Sequence, residues 1–258
     1  MKIILFSCVF TILVLKISGH VLSQSANTRI VGGEPTTIEE HPYQASIEVY
    51  GNHHNCGGTI LSPNVIITAA QCTVYMGLRF IQVRAGTTER ETGGVVRKIE
   101  KYYVHELYGL EMGADYDVSL IVLKEPLPLS SKIQPIALPE ESEYLNVTEM
   151  TTVTGWGELE QGNYEMPNIL HKVSIPVVGQ QICKYNYYSG VTERMLCAGY
   201  LEEGGKGACG GDIGGPLVAH NKLHGIASWG DGCAKPWYPG VYTRVTAIRE
   251  WIREKVNL

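Results

Sequence analysis

The chain has 258 residues, 44% of them apolar and 18% charged, with a formal net charge of −5. This is globular composition at a length that holds one large β domain or two small ones. The mild acidity, without a long run of either sign, excludes a phosphate-binding surface, so nucleic acid is not an expected partner.

The first residues are Met1-Lys2, an apolar run from Ile3 to Leu15 interrupted by Ser7 and Thr11, and Lys16. The run is too short to span a bilayer and has the basic start of a secretory signal, so residues 1–19 are expected to be a signal peptide. Cleavage after Gly19 or after Ser23 fits equally, and a membrane anchor is the lesser alternative on length. A secreted, extracellular protein without a membrane partner is expected. Of seven cysteines, Cys8 leaves with the signal. Cys56, Cys72, Cys183, Cys197, Cys209 and Cys233 remain, an even count that reads as disulfides in an exported chain, although six cysteines permit fifteen pairings. A zinc site among them is disfavoured because no Cys-x-x-Cys or paired Cys/His spacing occurs.

Residues 20–29 are short, polar and unpatterned. After Ile30, β-favouring runs alternate with turn residues at 45–50, 65–69, 80–85, 118–123, 151–154, 223–229 and 241–245. Pro126 and Pro128 stop the run at 118–123. Many short strands at this spacing predict an all-β barrel or sandwich. A proline-rich linker at 124–139 is a plausible division between two halves. The exception is the C-terminus, where Ile248, Trp251, Ile252 and Val256 fall on one helical face. No tandem repeat or low-complexity segment occurs.

One stretch stands out, Cys209-Gly210-Gly211-Asp212-Ile213-Gly214-Gly215-Pro216. Such glycine density is costly in backbone entropy and marks a tight backbone path. The stretch resembles the nucleophile loop of the trypsin/chymotrypsin serine proteases, with isoleucine in place of serine at 213. Further motifs carry the same resemblance over residues 30–258: Arg29-Ile30-Val31-Gly32-Gly33, Cys56-Gly57-Gly58-Thr59, Thr68-Ala69-Ala70-Gln71-Cys72, Asp117-Val118-Ser119-Leu120, Ser228-Trp229-Gly230 and Pro239-Gly240-Val241-Tyr242. The resemblance implies two six-stranded antiparallel β-barrels with a C-terminal α-helix. It implies a propeptide at 20–29, cut after Arg29 by another protease, and a buried ion pair between the freed Ile30 amine and Asp212. It also implies the pairings Cys56–Cys72, Cys183–Cys197 and Cys209–Cys233, each cross-link contributing roughly 2–4 kcal/mol.

The family's chemistry needs a hydroxyl to attack, an imidazole to take its proton and an acid to orient the imidazole. At the matching positions stand Ile213, a hydrocarbon, and Gln71, a neutral amide; only Asp117 is kept. Loss of the nucleophile or the base alone costs about 10⁶ in rate in a related mechanism, about 8 kcal/mol of barrier. His53 and His54 are expected nearby as strand-end histidines bonded to backbone. Where trypsin's specificity pocket carries an acid, this chain has Gly207, followed by Ala208. With Gly230 and Gly240 as the matching walls and the branched side chain of Ile213 at the mouth, a narrowed, apolar, uncharged remnant of the pocket is expected. Asp117, buried without an imidazole, needs donors, and the Gln71 amide is the candidate.

These residues lead to the expectation that the chain is not an enzyme but a pseudoprotease that binds proteins. Gly155-Trp156-Gly157-Glu158-Leu159-Glu160-Gln161-Gly162 and Gly204-Gly205-Lys206 are similar to mite gut proteases of the group 3 allergen type. Together with the changed triad they resemble the scabies mite inactivated protease paralogues. That resemblance implies a monomer in the gut lumen whose partners are host proteins, complement components above all. The alternatives are a non-catalytic cofactor of an endogenous protease cascade, a weakly active hydrolase on unexpected residues, and a decoy for protease inhibitors. Asn146-Val147-Thr148 is a glycosylation candidate. The tyrosines at 185, 187 and 188 are either a protein contact or ordinary packing, and the acids at 140, 141 and 143 read as a solvated loop. No cofactor and no metal are expected.

Overall fold

A computed structural model describes residues 31–258 except 111, 112 and 189. The expected signal peptide, the propeptide and the Arg29–Ile30 junction lie outside the described residues. After a two-residue strand β1 (Glu34–Pro35), six strands form the first barrel: β2 (Gln44–Val49), β3 (His53–Ser62), β4 (Val65–Thr68), β5 (Ile81–Ala85), β6 (Val95–Val104) and β7 (Ser119–Leu123). They close in the order β2-β3-β4-β7-β6-β5. The second barrel comprises β8 (Met150–Gly155), β9 (His171–Val178), β10 (Met195–Ala198), β11 (Pro216–Ala219), β12 (Lys222–Trp229) and β13 (Gly240–Arg244). Its order is β9-β10-β13-β12-β11-β8, closed by β8 against β9, with β1 paired on β9. All the strand pairs are antiparallel.

The branched apolar runs become strands because a small barrel needs side chains that fill its interior and suit a pleated backbone. Ile47, Ile60, Ile66, Ile67, Val83, Leu120 and Ile121 are fully enclosed in the first barrel. Each such side chain contributes about 1.5–3 kcal/mol relative to an exposed one. Val153, Ile175, Leu196, Leu217 and Tyr242 fill the second.

The C-terminal helix α2 (Arg249–Val256) buries Trp251 and Ile252 and ends on Asn257 in the left-handed conformation, whose N–H bonds Arg253 O. That is a common helix stop. Its apolar face joins the same cluster as the first barrel's interior, through Leu223, Ile226 and Ile248. The last segment of the chain therefore packs with the first barrel.

A second helix, α1 (Gln180–Asn186), departs from the sequence reading. Seven residues are under two turns, too few for periodicity to show, and an isolated helix of this length is unstable. Tertiary contacts hold it: Cys183 is fully buried and bonded to Cys197 of β10. The other disulfides are Cys56–Cys72 and Cys209–Cys233.

Candidate functional site

The glycine-rich stretch forms a tight turn at the mouth of the second barrel. Asp212 N–H bonds Cys209 O at 3.0 Å, and Gly215 N–H returns to Asp212 O at 2.8 Å. Gly214 has φ +82, and a Cβ there would lie 2.1 Å from Thr68 Oγ1 and 2.6 Å from Gly57 O. Only glycine fits that position. Gly57 N–H donates to Ile213 O at 2.8 Å, tying the turn to β3.

Asp212 is fully buried. Its carboxylate accepts from Gly157 N–H (2.8 Å) and Cys209 N–H (3.0 Å). Burial pushes this carboxyl up to about 7, against those two donors. His54, also buried, sits on the other side of the loop. Its Nε2 donates to Gly211 O at 3.0 Å, and its Nδ1 is 2.7 Å from Ser46 Oγ. A carbonyl only accepts, so Nε2 carries the proton and Nδ1 accepts from the serine. Burial lowers this imidazole to about 4, which keeps it neutral. His53 is exposed at the strand end.

Gln71 stands in a short 3₁₀ turn after β4, anchored by the Cys56–Cys72 bond. Its Nε2 donates to Asp117 Oδ2 at 2.6 Å and to Ser228 O at 2.9 Å. Both neighbours are acceptors, which fixes the orientation of the amide. Asp117 is fully buried and also accepts from Gln71 N–H (3.0 Å) and Ser228 Oγ–H (2.6 Å). Burial raises its carboxyl, and the donors from Ser228 and Gln71 oppose the shift. Residues 71 and 117 are thus brought together with Ser228, whose hydroxyl completes the donor set. Ile213 is half-buried and packs against the first barrel's core cluster.

Gln71, Ile213, Gly207, Ala208, Gly230 and Gly240 all line one cavity of about 320 Å³, with Ser228, Trp229 and Tyr242 among its other walls. No charged side chain lines it. A Cβ on Gly230 would lie 3.2 Å from Gly232 O, and one on Gly240 3.1 Å from the Tyr242 ring, so a larger residue at either position would press on its neighbours in the wall. Tyr187 supports this wall: its hydroxyl donates to Pro239 O at 2.7 Å, and its ring meets Trp229 edge-on. Tyr185 and Tyr188 are instead exposed. Asn146 lies on an exposed turn, its N–H and Nδ2 directed at Glu149 Oε2.

Sequence reasoning missed Ser46, the partner of His54. It is one of many strand residues, and no local pattern marks it.

The family model described as Trypsin matches residues 30–252. The chain is similar to "Trypsin 5G1" of Aedes aegypti, 41% identical over 232 residues that cover 89% of this chain and 86% of that protein. It is similar to the "Vitellin-degrading protease" of Bombyx mori, 38% identical over 250 residues, 96% of this chain and 93% of that one. It is 43% identical over 224 residues to a "Trypsin" of Simulium vittatum, covering 84% and 89%. These names overturn one expectation. Gln71 and Ile213 led to the reading that the chain is not an enzyme, but relatives of this identity and coverage are named trypsins and a protease. The physical reason for the correction is one of scope: a missing hydroxyl and imidazole exclude one reaction route, which is narrower than excluding an enzyme class. By matched length and by identity, the chain belongs to the trypsin family of serine proteases.

Proposed function

We propose that this chain is a secreted trypsin-family protein that holds a polypeptide segment in its cleft, taking an apolar side chain into the uncharged pocket. Any bond cleavage it performs proceeds without a serine–histidine pair at 213 and 71. The open cavity of about 320 Å³ beside Gln71, lined without charge, is the observation that carries this reading. A guanidinium or ammonium there would lose its water without gaining a carboxylate, which is unfavourable by several kcal/mol. Three disulfides support an oxidising compartment and so secretion. Among the described residues no helix is long and apolar enough to cross a membrane.

The partner is proposed to be a host protein, with complement components the first to test. Support for that choice is the resemblance carried by residues 155–162 and 204–206. The relatives' names speak for peptide-bond hydrolysis, and the same experiment covers it. Peptides with a phenylalanine, leucine or lysine side chain are offered to the mature protein, and binding and turnover are both measured. Preference for the apolar side chains by tenfold or more supports the reading, and equal or tighter binding of the lysine peptide refutes it. Turnover that disappears in Asp117→Asn assigns the hydrolysis to that carboxylate.

A further inference from the structure

We propose that Glu143, His220 and His224 form a binding site for a divalent cation of the zinc class, at the end of β12 opposite Ser228 and Trp229. One ring nitrogen of each histidine and one carboxylate oxygen of Glu143 lie within 4.8 Å of one another. The sequence reading expected no metal, and nothing in the trypsin-type chemistry uses these residues.

The hairpin makes the arrangement. Ala219 pairs with Lys222 across a two-residue turn, and both turn residues, His220 (φ 49) and Asn221 (φ 57), are left-handed. That turn suits the twist of the flanking strands. It carries His220 back over β12, so that its ring meets that of His224 edge-on, with centroids 6.4 Å apart and planes at 89°. His224 is 3% exposed, and its Nε2 has no hydrogen-bond partner among the described residues. A buried ring nitrogen without a partner calls for a ligand or a water. Glu143 and His224, but not His220, also line a recess of about 10 Å³ whose other walls include Arg244; the cation is placed on the His220 side of these two residues.

Glu143 Oε2 accepts from Glu140 N–H (3.2 Å), which orients the carboxylate, and from Lys222 Nζ (2.6 Å), the ammonium that a bound cation displaces. Glu149 Oε1 lies 2.8 Å from His220 Nε2, while its Oε2 accepts from Asn146. A carboxylate against a metal-bound imidazole is the usual outer support of a zinc site. Two imidazoles and a carboxylate suit zinc, copper or nickel, whereas calcium takes six or more oxygens. Tetrahedral zinc holds its ligands at about 2.0–2.2 Å. The exposed His220 and half-buried Glu143 therefore move inward, and the Lys222 ammonium turns away. A bound cation pins the β11–β12 turn to the 140–149 segment.

The test is calorimetric titration of the chelator-treated mature protein with Zn²⁺, beside the single variants His220→Gln, Glu143→Gln and His224→Gln. Expected is one equivalent bound, weakened at least tenfold in each variant. His220 is exposed, so its variant reports binding even if the change at buried His224 disturbs folding. Absence of binding, or affinity unchanged in His220→Gln and Glu143→Gln, overturns the site. Uptake of several equal equivalents that persists in those variants identifies adventitious surface coordination and overturns it equally.

Discussion

At Asp117 a buried carboxylate meets a glutamine in place of an imidazole, and the amide gives it what burial demands. Two donors come from Gln71 and one from Ser228. Replacing Gln71 by alanine removes the side-chain donor and is expected to cost about 1–3 kcal/mol, measured by urea unfolding of the two proteins. Asp212 carries a pH signature. Its folded carboxyl is raised to about 7 from an ordinary 3.8, so the folded chain binds this proton more tightly than the unfolded chain. The contribution is fully present below the ordinary value and is lost as pH rises through about 7. Between pH 4 and 7 the uncut chain is expected to lose stability through this group, on the order of 4 kcal/mol. Asp212→Asn should flatten that slope in denaturant melts taken across pH. An ammonium delivered beside Asp212, as expected of a chain cut after Arg29, lowers the carboxyl and should also remove it.

At the scale of elements, the loop around Asp212 depends on its glycines and its cross-link. The Cys209–Cys233 bond closes a segment with a sequence separation of 24. Changing both cysteines to alanine is expected to cost roughly 3–4 kcal/mol in guanidinium unfolding and to loosen the pocket wall. How much of the fold was legible differs strand by strand. The continuous apolar runs of β4 and β7 and the apolar face of α2 could be read directly, because burial and period agree there. β3 could not: Gly57 and Gly58 have low strand propensity, yet a Cβ on Gly57 would lie 2.6 Å from Gly215 Cα and one on Gly58 3.0 Å from Ile47 and Ile66, so the first serves the contact with the loop and the second the packing of the barrel interior. β6 was hidden by the charges of Arg97, Lys98, Glu100 and Lys101, which leave no clean alternation of apolar residues to read. Within β9, Pro176 argued against a strand, but it falls where the ladder with β8 ends.

At the scale of the whole molecule, two barrels packed through shared residues present one cleft. Gln44 of the first barrel accepts from Thr154 Oγ1 of the second at 2.6 Å, and Asp115 binds Arg194 and Thr192 across the same boundary. The site was legible because its residues sit in long motifs, and the pocket glycines could be placed by their neighbours. The enzyme class was not, because two substituted side chains describe one route and not the family's range. The Glu143–His220–His224 cluster was also invisible, since the two histidines meet only through the left-handed turn of the β11–β12 hairpin and Glu143 lies far earlier in the chain. The uncharged pocket yields its own prediction. Gly207→Asp places a carboxylate on the cavity wall, and the cationic probe benzamidine should then bind at least tenfold more tightly than to the native chain, as read by calorimetry. Equal binding to both proteins would show that residue 207 does not face the ligand.

The account turns on what stands at positions 71 and 213. The most direct measurement compares the native chain with the double variant Gln71→His/Ile213→Ser, using a phosphonylating reagent and a chromogenic peptide bearing an apolar side chain. With Asp117 already in place, the double variant should be labelled at residue 213 and gain at least about 10³-fold in hydrolysis over the native chain, which stays unlabelled in the cleft. Labelling of the native chain in the cleft, or hydrolysis by it at the rate of the double variant, would contradict the account.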